Sequence, residues 1–369
     1  MNATVINSLQ NLLAGNKKKI AALVTCVILL GISGCNAATT GSEKSSQNVE
    51  TATASKTETS AETGAVTKEM TAANKPARSN ENFTVNTPIQ DVIRYPAFGH
   101  YGRLIFPVNT HYFSGSTLGN LSLTWYTEIR PEKTVEICNY FKQHADAGDT
   151  IFYDIYTPEE KAADPSKNDA GLFFFKGKPG AKFAICNSGG GMVYVGSIHD
   201  SFPHALELSK KGYNAFALIY RPDAQAACED LARAIAYIHT HAEKLQVNPV
   251  GYSLWGGSAG ARMAAWLGSF GTEAFGETPC PRPAAVIMQY TGLSDVYGNE
   301  PPTYNCVGTG DWIASSHTMQ RRIQAIRANG TAAEIEIFPG LPHGFGLGEG
   351  TVAEGWIHRA AAFWEQQCK

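Results

Sequence analysis

Short apolar runs alternate with amphipathic stretches through the second half of the chain. Thr150–Tyr156 and Gly171–Phe175 are rich in aromatic and branched residues and flank a polar insert, Thr157–Asp169, which predicts a hairpin. Lys182–Cys186, Ala215–Tyr220, Ala284–Gln289 and Glu334–Phe338 predict further strands, with a short one at Tyr304–Val307. Between and after them, His204–Lys211, Ala226–Ala242, Thr318–Ala328 and Gly355–Gln367 read as helices. Leu231, Ile235 and Ile238 fall on one face of the second, and Trp356, Ala360 and Phe363 keep helical spacing in the last. Apolar strands alternating with amphipathic helices predict an α/β fold, a mostly parallel sheet covered on both faces. In such sheets chemistry collects at the carboxyl ends of the strands.

The first half follows other patterns. Lys17, Lys18 and Lys19 precede an apolar run from Ile20 to Ile32, and Ser33, Gly34 and Cys35 follow. A basic start, a short apolar core and small residues predict an export signal over 1–35, and the run is short for a permanent membrane helix. Its ending resembles a bacterial lipobox, which implies lipidation of Cys35; an ordinary signal cut nearby is the alternative. Residues 36–85 are mainly Thr, Ala, Ser, Glu and Lys, too poor in apolar surface to offset the entropy of ordering, and predict a tether. The segment 86–149 is aromatic and irregular, with Tyr95, Phe98, Tyr101, Phe106, Tyr112, Phe113, Trp125 and Tyr126. It ends in a helix opened by Pro131, with Val135, Cys138 and Phe141 on one face. It is either a cap over a pocket or plain packing. The regular pattern then fills 150–369.

Composition changes this picture little. A net charge of −3 over 369 residues gives no basic footprint for nucleic acid. Cys138, Cys186, Cys228, Cys280, Cys306 and Cys368 are scattered without metal-ligand spacing, so no metal or cofactor is expected and the thiols read as mostly small buried residues. His239 and His241 read as surface residues near a helix end.

The chemistry centres on Gly256-Gly257-Ser258-Ala259-Gly260, a G-x-S-x-G between a strand and an Ala-rich helix. In such an elbow the serine takes a strained backbone conformation. Small residues stand two before and two after it, because side chains there would strike the crossing strand and helix. A hydrolytic serine needs a base, an orienting acid and two oxyanion donors. His343, in the Gly-rich loop after the strand ending at Phe338, is the candidate base; His317 is its rival but falls in a predicted helix. Asp311, after the strand at Tyr304–Val307, is the candidate acid, with Asp295 as runner-up. Ser188-Gly189-Gly190-Gly191 follows an early strand and offers bare backbone N–H groups.

Together these features resemble an α/β-hydrolase of the esterase/lipase type, near the hormone-sensitive-lipase and carbohydrate-esterase branches, from about residue 180 onward. The order Ser258, Asp311, His343 is the order of that superfamily. Tyr220-Arg221-Pro222 with Glu229-Asp230 is similar to its Y-R…E-D segment, where the role is structural. The resemblance implies Ser258 as nucleophile, His343 as base and then acid, and Asp311 as orienter. It implies an oxyanion hole from the N–H groups of Ala259, Gly190 and Gly191. Ser188 stands where these enzymes usually have histidine. The expectation is a lipid-anchored, exported carboxylesterase for small acyl esters, with acetyl groups on carbohydrates as one candidate. A peptidase and a non-catalytic surface binder on the same scaffold are the rivals.

Overall fold

The computed structural model describes residues 81–368; Cys35, the apolar run before it and residues 36–80 lie outside the described residues. The main sheet has eight strands: β1 Phe152–Tyr153, β2 Gly171–Phe175, β3 Lys182–Asn187, β4 Asn214–Ile219, β5 Asn248–Gly257, β6 Ala285–Gln289, β7 Thr303–Gly308 and β8 Ala333–Phe338. Their spatial order is β8-β7-β6-β5-β3-β4-β2-β1. From β8 to β4 every pairing is parallel. The predicted hairpin forms the antiparallel margin, with β1 on β2 and β2 on β4. Its polar insert holds two short helical turns, Pro158–Ala163 and Pro165–Asp169.

The longer helices are α1 Pro131–Asp146, α2 Ser201–Lys210, α3 Ala224–Thr240, α4 Ala259–Phe270, α5 Ser316–Ala328 and α6 Trp356–Gln366. Alternate residues of each strand feed two cores, one per face. Phe173, Phe175, Cys186 and Trp255 join α2, α6 and the N-terminal segment. Leu172, Phe174, Ile185 and Leu254 join α3 and α4. All of β2 is therefore buried, as expected of a strand covered on both sides. The N-terminal segment 86–149 packs by its aromatics: Phe141 of α1 contacts Phe173, Phe175 and Phe202.

The sequence reading needs two corrections here. His239 is not a surface residue: its ring lies edge-on to Phe183 and Tyr252, and burial pushes its pKa down. The first strand is also shorter than its apolar run, because only Phe152 and Tyr153 pair with β2. The six cysteines are all free; four are buried, and Cys280 and Cys368 are half-buried.

Candidate active site

Ser258 stands alone between β5 and α4, at φ 49 and ψ −112. A non-glycine residue in this region costs of order 1–3 kcal/mol and persists only where its surroundings over-determine it. Its N–H donates to the Gln289 carbonyl on the neighbouring strand at 2.9 Å. The flanking glycines are explained by space. A Cβ on Gly256 would lie 2.3 Å from the Gly260 backbone, and one on Gly260 would lie 2.1 Å from the Asn187 carbonyl oxygen. Gly257 is constrained too, although the motif leaves its position open. Its Cβ would sit 2.4 Å from the Asp200 carboxylate.

The loops after β7 and β8 bring the other two groups to the serine. His343 Nε2 lies 3.1 Å from Ser258 Oγ, and His343 Nδ1 lies 2.8 Å from Asp311 Oδ2. A carboxylate accepts only, so Nδ1 carries the proton and Nε2 faces the hydroxyl as acceptor. The other Asp311 oxygen accepts from the backbone N–H groups of Ile313 (2.8 Å) and Ala314 (2.7 Å), which fixes the carboxylate's direction. The side chains of both His343 and Asp311 are almost wholly buried. Asp295, the runner-up, lies by Ser294 and Tyr297 instead. His317 is in the first turn of α5.

The glycine loop after β3 closes the remaining side. Gly190 and Gly191 have φ of 128 and 62, a run that side-chained residues adopt only under strain. A Cβ on Gly189 would come within 2.9 Å of the Ser258 Cβ, so the loop abuts the serine. Among the described residues, no hydrogen-bond partner is recorded for the N–H of Gly190 or Gly191. Tyr220 donates to the Ser188 carbonyl at 2.8 Å, while Arg221 pairs with the fully buried Asp230 at 2.8 Å. The Tyr220-Arg221 pair thus supports the loop from below and ties β4 to α3.

Residues 124–127 of the N-terminal segment form a strap over two of these loops. Thr127 donates from its N–H to the Gly344 carbonyl (3.0 Å) and from Oγ1 to the His343 carbonyl (2.8 Å). Trp125 stacks with Tyr194, and its ring lies where a Cβ on Gly191 would be, 2.9 Å away. Tyr126 donates to Asp200 Oδ2 at 2.9 Å. Beneath His343 lies Tyr290, with ring centroids 4.9 Å apart.

Asp200 and Tyr290 carry no assignment in the sequence, whereas Trp125 and Tyr126 stand there in the aromatic segment expected to be a cap or plain packing. Asp200 lies nine residues past Gly191 and Tyr290 directly follows β6, but neither stands in a recognisable motif. Burial first, then the charge of Asp200, push the Tyr126 and Tyr290 phenols well above their ordinary pKa, so both remain O–H donors. Among the described residues no group of three or more His, Cys, Asp or Glu is placed to hold a metal ion.

This arrangement, a serine on a strand–helix elbow at the carboxyl edge of a parallel sheet with acid and histidine on later loops, is that of an α/β hydrolase. A family model described as BD-FAE matches residues 176–300, which include the glycine loop and Ser258. Among solved structures, the chain is similar to an acetyl ester-xyloside bifunctional hydrolase from Caldicellulosiruptor lactoaceticus. The identity is 21%, covering 58% of this chain and 95% of that one, with a TM-score of 0.52. A thermophilic esterase from the planctomycete Thermogutta terrifontis, solved with propionate bound, is 22% identical over 53% of this chain and 89% of its own, with a TM-score of 0.47. An α/β hydrolase from a Medee basin deep-sea metagenome library is 20% identical over 54% of this chain and 93% of its own, with a TM-score of 0.48. No match is found among curated proteins. The likeness to the solved structure with a TM-score of 0.52 shows that the fold is the α/β-hydrolase fold.

Proposed function

We propose that the protein is a carboxylesterase that cleaves small acyl esters through an acyl-enzyme on Ser258. The observation that carries this reading is the continuous chain from Ser258 Oγ to His343 (3.1 Å) to Asp311 (2.8 Å). His343 Nε2 takes the hydroxyl proton as Oγ attacks the ester carbonyl carbon. The carbonyl oxygen becomes an oxyanion that the N–H groups of Ala259, Gly190 and Gly191 receive. As the tetrahedral intermediate collapses, the bond to the alcohol oxygen breaks, and protonated His343 returns the proton to that oxygen. Water then repeats the sequence on the acyl-enzyme and releases the acid. Asp311 orients the imidazole and stabilises its charged form.

Ser258→Ala should abolish both hydrolysis of p-nitrophenyl acetate and labelling by a fluorophosphonate probe; activity that survives the change sinks the reading. Acetyl esters, including those on carbohydrates, are the favoured substrates, a reading supported by the Trp125 ring packed against the glycine loop. A panel of p-nitrophenyl acetate, butyrate and octanoate, acetylated sugars and peptide anilides tests this. Faster cleavage of the anilides would favour the peptidase reading. The basic start, apolar run and Cys35 support export and lipid anchoring. Palmitate labelling in cells should tag the native protein and miss Cys35→Ala.

A further inference from the structure

Asp200 occupies the N-cap position of α2, yet its side chain does not cap that helix. An aspartate there ordinarily accepts from the first free N–H groups, a contact whose loss costs of order 1 kcal/mol. Its carboxylate turns instead toward the candidate site. Oδ2 accepts from the Gly189 N–H at 2.8 Å and from the Tyr126 hydroxyl at 2.9 Å. His204 Nδ1 lies 3.3 Å from Oδ1. The carboxylate also fills the space beside Gly257, the residue before the serine, so it touches the floor of the elbow. The residue is wholly buried. A buried carboxylate is costly to keep without donors, and the two donors here come from separate pieces of chain, the glycine loop and the strap, both on Oδ2.

We propose that Asp200 is a positioning residue for ester hydrolysis. It clamps the glycine loop and the strap against the elbow, so that the N–H groups of Gly190, Gly191 and Ala259 converge on the oxyanion. The inference rests on the esterase reading above. Gly189 is the hinge of the device: its own N–H is consumed by Asp200, which aims the next two N–H groups outward. The clamp acts on the transition state more than on the bound ester, because the oxyanion exists only after attack. Loosening it lowers kcat and leaves KM nearly unchanged.

The test compares Asp200→Asn with the native protein. Asparagine keeps the shape and one acceptor oxygen, but it weakens the charge-assisted bonds to Gly189 and Tyr126. With p-nitrophenyl acetate, kcat should fall about 10- to 100-fold, below the ~10²–10³ reported for deleting an oxyanion donor outright, while KM stays within about threefold. Affinity for phenylboronic acid, whose serine adduct places an oxygen in the oxyanion position, should fall in parallel with kcat. Tyr126→Phe removes a donor from the other side of the clamp and should give the same split, about 3- to 10-fold in kcat. It decides the matter alone if Asp200→Asn does not fold. Native kcat in either folded variant, or a kcat loss with boronate affinity unchanged, overturns the proposal. Failure of the esterase reading looks different, since Ser258→Ala would then keep its activity.

Discussion

At the scale of single residues, the site is a set of backbone positions where a side chain has no room. Gly256 and Gly260 are demanded by the elbow, and their reasons are legible in the motif. Gly257 is the sharper case, because its neighbour is a carboxylate from 57 positions upstream rather than the local turn. A methyl group 2.4 Å from Asp200 Oδ2 and 2.8 Å from the Tyr290 ring must displace one of them. Gly257→Ala should therefore cost ~1–3 kcal/mol in stability, as overpacking does. It should also lower kcat at least tenfold by shifting Ser258. Circular-dichroism melting with p-nitrophenyl acetate kinetics checks both; unchanged kinetics would mean that the elbow tolerates movement of its floor.

At the scale of elements, the strand and helix pattern carried most of the architecture. The runs at Lys182, Ala215, Ala284 and Glu334 are strands within one residue at each end. The elbow, Asp311 and His343 were legible because each is announced locally: by small-residue spacing, or by a place just after a strand. The strap at 124–127 was not. Its partners are Gly191, Asp200 and Gly344, and no periodicity records a contact across such separations. His239 was misread for a related reason: one helical turn decides whether a residue near a helix end faces a strand or water. The strap also makes the element-scale prediction. Trp125 is over a third exposed, and its ring sits against Gly191. Trp125→Ala should open the acyl side and raise kcat/KM for p-nitrophenyl butyrate relative to acetate about 3- to 10-fold, in keeping with what a methylene or two is worth in an apolar pocket. An unchanged ratio would place the acyl group elsewhere.

At the scale of the whole molecule, the buried histidines set how the fold responds to acid. His199 is buried, and that burial pushes its pKa from 6.5 down to about 3. Burial also lowers the pKa of His204, against the opposing charge of Asp200, and of His239. Each of these groups binds its proton more readily in the unfolded chain than in the folded one. For His199 the stability tied to the neutral form is therefore complete above about pH 6.5 and drains as pH falls through the window down to about 3, at up to ~1.4 kcal/mol per pH unit, and His204 and His239 act in the same direction. The paired carboxylates enter later. Glu136 and Glu207 are pushed up by burial but held below 4.5 overall by Lys133 and Lys210, so their contribution is present above pH 4.5 and lost only below it. Between pH 6.5 and 5 the Glu136 and Glu207 contributions therefore hold steady, and the loss from His199 falls in this interval. In that interval the melting temperature of Ser258→Ala, which separates folding from turnover, should fall steadily. His199→Gln should flatten the slope, whatever its effect on absolute stability, because glutamine has no proton to gain on unfolding. A slope identical to that of the native histidine would mean that His199 is reached by water and protonates in the folded state.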